Sequence, residues 1–299
     1  MDYYLGNDGH KVRQKIAACL QSYSTRLSLE NLNIERLPQL PENLTFLACH
    51  NTKIATLDRL PPNLEELIIE GAWHLNHLSS FPSSLRKFSC NTSTISSIIN
   101  LPRSLENFKL SKTNVNYIKI PQNVTYLDCA DNTALLDIGP LPYNLIDLNI
   151  SRTHILNLPQ LPKSLKTLIC AETFITSLPN LPERLLWLNI IGTNIKKMPN
   201  IPYNLSKLTC SHLFAISNFT TMPDAMVRLD CVCAYEEKDK CFSCFYTKHK
   251  YLAYSEAWLI WLEMHSKERI MARTEKLKRP LIEKLHKTGK FFNFDCILD

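Results

Sequence analysis

Residues 162–181 read PKSLKTLICAETFITSLPNL, and residues 182–201 read PERLLWLNIIGTNIKKMPNI. Both stretches place leucines three and six residues after a proline, followed by an apolar strand end, a threonine and an isoleucine. The same proline recurs every 19 to 21 residues, at Pro41, Pro61, Pro82, Pro102, Pro121, Pro142, Pro162, Pro182, Pro202 and Pro223. So regular a period is typical of stacked structural repeats.

A copy without the proline precedes Pro41, with Leu27 and Ile34 in phase, so eleven copies span about 21–235. In each copy an alternating run, such as residues 188–190 (Leu-Asn-Ile), predicts a short strand with one face turned inward. In copies such as residues 178–182 (Leu-Pro-Asn-Leu-Pro), the second half carries two prolines three residues apart, which oppose an α-helix and favour an extended, polyproline-like path. We therefore predict a repeat solenoid with short parallel β-strands on its concave face and an extended convex face.

The repeats resemble those of the leucine-rich-repeat family, in particular its short 20-residue bacterial-effector subclass, typified by the YopM and IpaH proteins, whose repeats also read L-P-x-L-P-x-x-L. Repeats of leucine-rich-repeat proteins from giant viruses that infect amoebae are similar as well. The resemblance implies a leucine-rich-repeat horseshoe. IpaH-type proteins carry a ubiquitin-ligase domain after the repeats, whereas only about 65 residues follow the repeats in this sequence, so the resemblance covers the repeats alone.

One position departs from the pattern of that family, which usually places asparagine after the strand. This chain has a single asparagine there, Asn132, and threonine in five other copies. These threonines are Thr52, Thr113, Thr153, Thr173 and Thr193. Because a hydroxyl can bond backbone groups, we expect a threonine ladder that links each coil to the next, and a cost of roughly 1 kcal/mol for Thr153→Val.

The inward position of the strands alternates between cysteine and leucine or isoleucine. Its cysteines are Cys49, Cys90, Cys129, Cys170, Cys210 and Cys231. Sulfurs on alternate coils would lie too far apart for a disulfide, and free cysteine packs as a small apolar side chain. We therefore interpret this cysteine column as part of the core.

The chain divides into three parts by composition and pattern. These are a helical cap at 1–20, the leucine-rich-repeat solenoid at 21–235 and a basic, cysteine-containing helical cap or tail at 236–299. In the first part, Val12, Ile16 and Leu20 follow each other at intervals of four, which indicates a short amphipathic helix against the first coil. In the last part, residues 248–290 hold 11 Lys and Arg against 5 Asp and Glu, as large an excess as the net charge of +6 of the whole chain.

Three outward positions of each strand would form a concave binding surface. Over eleven coils these positions hold five basic and six acidic residues, so the surface lacks the basic stripe that nucleic acid requires. Apolar and aromatic side chains among polar ones mark protein interfaces. The main candidate patch comprises Tyr126, Ile169, Ala171, Trp187, Asn189 and Ile191, and a second comprises Phe46, His50, Glu66, Ile68 and Glu70.

Because Trp187 should be exposed, we expect Trp187→Asp to abolish partner binding with little change in thermal stability.

A cysteine cluster follows the last repeat. Its members, Cys231, Cys233, Cys241 and Cys244, lie within 14 residues and could form a tetrahedral zinc site that caps the solenoid. The spacing is not that of a standard zinc finger, and free thiols are the alternative. No other cofactor is expected.

The basic tail has two interpretations as well. Its charge favours contact with acidic partners, membrane surfaces or nucleic acid, and the alternative is a solvated helix face on a cap. The residues from Cys296 to Asp299 match the C-a-a-X pattern of prenylated anchors, although aspartate is a poor final residue for that modification.

Signatures of catalysis are scarce. The six glycines form neither G-x-G-x-x-G nor a P-loop, which argues against nucleotide chemistry by those routes. The run Cys129-Ala130-Asp131 matches the C-x-D letters of the IpaH-type ligase site, but Cys129 occupies an inward position, so we interpret the match as coincidence. We predict that the chain is not an enzyme.

The predicted function is that of a monomeric scaffold that binds a partner protein on its concave face. No basic segment followed by an apolar core is present near Met1, and the odd number of cysteines does not suggest a disulfide framework, so a cytoplasmic location is expected. The resemblance implies an effector that acts on a host protein in host cytosol. The alternative is a ubiquitin-ligase recruiter, or another enzyme or adaptor, with its activity in the tail.

Overall fold

The computed structural model describes residues 7–57, 59–76, 78, 80–98, 100–211, 225 and 228–232. The proposed zinc ligands Cys233, Cys241 and Cys244, the basic tail and Cys296 lie outside the described residues.

Among the described residues, one helix precedes eleven short strands. The helix α1 spans Gly9–Gln21. The strands are β1 Arg26–Ser28, β2 Phe46–His50, β3 Glu66–Glu70, β4 Lys87–Asn91, β5 Asn107–Ser111, β6 Tyr126–Asp128, β7 Asp147–Asn149, β8 Thr167–Ile169, β9 Trp187–Asn189, β10 Lys207–Ser211 and β11 Arg228–Val232. They form one parallel sheet in chain order, so the predicted solenoid is confirmed. We call the repeat that contains strand βn coil n.

The second residue of each strand from β1 to β10 points into the core. Leu47 pairs with Leu67, which pairs with Phe88, and the same register carries leucine or phenylalanine through the sheet. These side chains are almost completely buried. Between strands, the described parts of the coils hold no helix, and in several coils a pair of prolines opposes one in the convex segment.

The repeat proline starts a tight turn that leads into the next strand. Its carbonyl accepts a hydrogen bond from the amide of the apolar residue three positions later, as Pro162 does from Leu165 at 3.1 Å and Pro182 from Leu185 at 3.0 Å. The proline suits this place because its fixed φ favours the turn and its missing N–H is not needed.

A column of left-handed residues ends the strands. Its members have φ between 50° and 67°, and they are Asn31, Asn51, Gly71, Thr92, Lys112, Asp131, Arg152, Glu172 and Gly192. Along coils 1 to 8 their amides donate to carbonyls of the following coil, for example Glu172 to Ile191 at 2.7 Å. Gly71 and Gly192 occupy this column because glycine adopts positive φ without strain, and a Cβ at Gly192 would lie only 3.1 Å from the side chain of Glu172.

The threonine column does not form the expected ladder between coils. The hydroxyls of Thr153, Thr173 and Thr193 donate to carbonyls three residues back in their own coils, at 2.7–2.8 Å. Thr113 is the exception, since its hydroxyl lies 2.7 Å from Oδ1 of Asn132 in the next coil. The prediction was wrong for these three threonines because a carbonyl of the same turn already accepts each hydroxyl.

Bonds between coils come instead from an asparagine and serine column two residues after the repeat proline. Asn123 Nδ2 donates to the carbonyl of Arg103 at 2.8 Å, and Ser164 Oγ donates to that of Tyr143 at 2.8 Å. Asn63, Ser84, Ser104 and Asn204 make equivalent bonds to the preceding coil. The sequence shows this column in phase with the prolines, and the signal was overlooked.

Two members of the threonine column provide a matched stability test. Thr153 is fully buried and bonded to the carbonyl of Ile150, whereas the buried Oγ1 of Thr52 has no hydrogen-bond partner. We expect Thr153→Val to lower the free energy of unfolding by about 1–2 kcal/mol, because it removes the partner of a buried carbonyl. Thr52→Val should be neutral or stabilising, since it removes an unpaired hydroxyl. Urea unfolding of both variants checks this, and equal losses would contradict the assignment.

The helix α1 covers the first coil. Val12 is buried and Ile16 packs against the core, but Leu20 is 55% exposed, and Cys19 takes the inward place instead. Asp8 does not cap the helix with its side chain. Its carboxylate pairs with Lys11 of the same helix and accepts a hydrogen bond from the amide of Asn33 at 2.7 Å, and both interactions lower the pKa of Asp8. The bond from Asn33 also fastens the start of the helix to coil 1.

Candidate concave interface

The outward positions of the strands form three columns on the concave sheet. In coils 7 to 10 the first column holds Asp147, Thr167, Trp187 and Lys207, the middle column holds Asn149, Ile169, Asn189 and Thr209, and the last column holds Ser151, Ala171, Ile191 and Ser211. The sheet register places the residues of the first two columns beside one another in this order. Most of the predicted patch therefore lies on neighbouring strands.

Trp187 is half-buried, not freely exposed as the sequence had suggested. The ammonium of Lys207, one coil on, lies 4.0 Å from the centroid of its ring and covers it. Its indole nitrogen is buried and has no hydrogen-bond partner. Since removal of a half-buried ring also removes packing, Trp187→Asp should lower stability and is a poor test of binding.

The neighbours of Trp187 differ in accessibility. Ile169, Asn189 and Ile191 are half-buried, so partner side chains can reach them. Ala171 is 93% buried, so a partner can hardly reach its side chain. The prediction that it is exposed was wrong. The Oδ1 of Asn189 accepts the amide of Ile191 at 3.2 Å, so the asparagine also fixes the backbone at the end of the strand.

Tyr126 lies at the other end of the main patch, three coils before Trp187, and is half-buried. Partial burial raises the pKa of its hydroxyl, and the carboxylates of Asp128 and Asp147 add to the effect. Burial also raises the pKa of Asp128, whose Oδ1 accepts the amide of Ala130 at 3.1 Å. This end of the patch is therefore acidic.

The second patch lies on coils 1 to 3. The guanidinium of Arg26 lies 3.7 Å from the ring centroid of Phe46, so this aromatic ring, like that of Trp187, is covered by a cation. The His50 ring nitrogens lie 3.8 Å from a carboxylate oxygen of Glu30 and 3.5 Å from one of Glu70. The sheet register places Glu66 beside Lys87. These charges are partly satisfied within the protein.

Sequence reasoning missed a charged row along the edge of the sheet, in the left-handed column. The guanidinium of Arg152 makes two hydrogen bonds to Glu172, at 3.0 and 3.2 Å, and one to Asp131 at 3.4 Å. These hydrogen bonds link side chains of coils 6, 7 and 8. The signal was present as three charged residues in phase after the strands.

Six cysteines are buried and free, as the core interpretation requires, and they are Cys19, Cys49, Cys90, Cys129, Cys170 and Cys210. Burial raises the pKa of Cys49 to about 12 and that of Cys90 to about 11, and it raises the pKa of Cys129 further. The thiolate is thus disfavoured, and Cys129 in the C-x-D run cannot act as an accessible nucleophile. No group of three or more metal-ligating side chains occurs among the described residues.

Comparison with known proteins identifies solved structures of similar fold, whereas neither family models nor curated proteins match the sequence. Among solved structures, InlJ from Listeria monocytogenes, whose functional domain includes a cysteine ladder, has a TM-score of 0.56 and 18% identity over 73% of this chain and 58% of its own.

Two further structures come from bacteria that infect animals. YopM from Yersinia enterocolitica has a TM-score of 0.43 and 19% identity, covering 76% of this chain and 73% of its own. The leucine-rich-repeat domain of a Shigella effector has a TM-score of 0.40 and 21% identity, covering 77% and 91%. The chain therefore has the leucine-rich-repeat solenoid fold. Within the described residues, no helix has the length and apolar character needed to cross a membrane.

Proposed function

We propose that this protein is a non-enzymatic scaffold that binds a partner protein through the concave face of coils 6 to 10. The observation that carries the proposal is the group of half-buried side chains Ile169, Trp187 and Ile191 in the neighbouring coils 8 and 9. The three concave columns hold no charged residue in these two coils. Apolar and aromatic side chains held on a rigid sheet are typical anchors of protein interfaces.

Other features of the chain agree with a scaffold. Cys49, Cys90, Cys129 and Cys170 are buried, and burial raises the pKa of each thiol, which disfavours these cysteines as nucleophiles. The described concave columns mix both signs of charge, and this arrangement suits a protein partner better than nucleic acid.

We further propose that the partner is a host protein and that binding takes place in host cytosol. This part rests on the type of repeat, which the chain shares with bacterial effectors such as that of Shigella. A monomer that presents one concave surface suffices for such a role.

The experiment is affinity capture from eukaryotic cytosol with the wild type, Ile169→Glu and Ile191→Glu, read by mass spectrometry. Both isoleucines are half-buried and donate no side-chain hydrogen bond, so a carboxylate there disturbs the surface more than the fold. We expect both variants to lose the partner, because the introduced charge would be desolvated in the interface.

The matched control is Tyr203→Glu, since Tyr203 is 69% exposed in the turn before β10 and outside the three columns. It should keep the partner. Thermal unfolding of each variant shows whether the fold persists. Identical capture by wild type and both isoleucine variants would reject the concave face and direct attention to the tail.

A further inference from the structure

We propose that the bound segment of the partner carries a basic and an acidic side chain about 14 Å apart, with apolar side chains between them, and that it lies along the solenoid axis. The basic side chain faces Asp147 and the acidic one faces Lys207. This inference rests on the proposed function and specifies the chemistry of the partner.

The acidic end is set by Asp147 in the first column. Its neighbours across the sheet are Tyr126 and Thr167, so neither adjacent strand offers it a cation. The carboxylate of Asp128 lies in the middle column one coil before and adds negative charge, partly offset by Lys109. A basic side chain of a partner would meet an uncompensated carboxylate here.

The basic end is set by Lys207. In its column it lies between Trp187 and Arg228, and the one acidic residue in the sequences of the two adjacent strands, Asp230, pairs with Thr209 in the middle column. Its ammonium rests on the ring of Trp187, a contact that holds the charge at the border of the apolar surface without neutralising it. A carboxylate of a partner can pair with this ammonium.

Between the two charges the columns of coils 8 and 9 hold only uncharged residues, Thr167, Ile169, Ala171, Trp187, Asn189 and Ile191. Three strand spacings of about 4.8 Å separate Asp147 from Lys207, which gives about 14 Å. An extended segment covers this distance in about four residues, at roughly 3.4 Å per residue. The motif expected in a partner is therefore a basic residue, about three mostly apolar residues and an acidic residue, in either chain direction.

The test is selection of a phage-displayed library of random twelve-residue peptides on the immobilised full chain. Peptides enriched on the wild type should carry both charges at this spacing. Asp147→Lys makes both ends basic and should enrich peptides with two acidic residues. Lys207→Glu makes both ends acidic and should enrich peptides with two basic residues. Lys87→Glu is the matched control, because Lys87 is basic and lies in the first column, as Lys207 does, but belongs to coil 4.

Affinities of resynthesised peptides then give the size of the effect. Each wild-type peptide should bind Asp147→Lys and Lys207→Glu about fivefold to tenfold more weakly at low salt, and this difference should shrink in 0.5 M NaCl. Binding to Lys87→Glu should equal binding to the wild type.

The inference is overturned if the same peptides are enriched on all four proteins, or if wild-type peptides lack the paired charges. Failure of the proposed function would give a different result, in which selected peptides bind Ile169→Glu and Ile191→Glu as well as the wild type. Peptides that do not bind the isoleucine variants but bind Asp147→Lys and Lys207→Glu with unchanged affinity would support the concave site and reject the charge arrangement.

Discussion

Asn132→Leu is expected to lower the free energy of unfolding by about 3–5 kcal/mol. The asparagine is fully buried, and its carboxamide takes part in four hydrogen bonds. Nδ2 donates to the carbonyls of Leu110 at 2.6 Å and Cys129 at 2.9 Å, while Oδ1 accepts the amide and the hydroxyl of Thr113 at 2.8 and 2.7 Å. Leucine has a similar volume but leaves these buried groups unpaired, at about 1–3 kcal/mol each before relaxation.

The control for this variant is Asn123→Ala. Asn123 is exposed and makes a single side-chain bond to the preceding coil, so its loss should cost less than about 1 kcal/mol. Urea unfolding followed by circular dichroism compares the two. Asn132 lies in coil 6, near the middle of the solenoid, so two separate transitions in Asn132→Leu would show that the halves unfold independently. Similar midpoints for Asn132→Leu and Asn123→Ala would contradict the hydrogen-bond network.

The fold could be predicted from the sequence because one repeated period determines almost every inward side chain. Leu165, Leu168 and Cys170 follow Pro162 at fixed distances, and their equivalents are buried throughout the described coils. The direction of side-chain bonds could not be predicted in the same way. The hydroxyl of Thr153 reaches only a carbonyl of its own turn, whereas the longer carboxamide of Asn132 also reaches the preceding coil.

The candidate site could be predicted only in part. The period correctly indicated which side chains share a column, since Trp187 and Lys207 lie side by side across β9 and β10. It could not show that the lysine covers the indole ring, because that contact depends on the rotamers of two side chains twenty residues apart. For the same reason the exposure of Trp187 was overestimated.

Phe88→Ala should be as damaging as Asn132→Leu, by a different mechanism. Phe88 is fully buried at the second position of β4, and its ring centroid lies 5.1 Å from that of Phe81 and 5.9 Å from that of Phe108 in the next coil. Alanine would leave a cavity between two aromatic rings that the backbone of a stacked sheet cannot close. Loss of a buried phenylalanine typically costs about 3–5 kcal/mol.

Two further variants test whether the expected loss of unfolding free energy comes from side-chain packing in coil 4. Phe88→Leu restores the leucine that neighbouring coil 3 has at this position, Leu67, and should cost about 1–2 kcal/mol because the new side chain only partly fills the space between the rings. Phe174→Ala removes a ring that is 49% exposed and touches His154 edge-on, so its cost should stay below about 1 kcal/mol. Denaturant unfolding ranks the three variants. If Phe88→Ala cost no more than Phe174→Ala, the inward placement of Phe88 in β4 would be wrong, since a phenylalanine loses little on truncation only where water already reaches it.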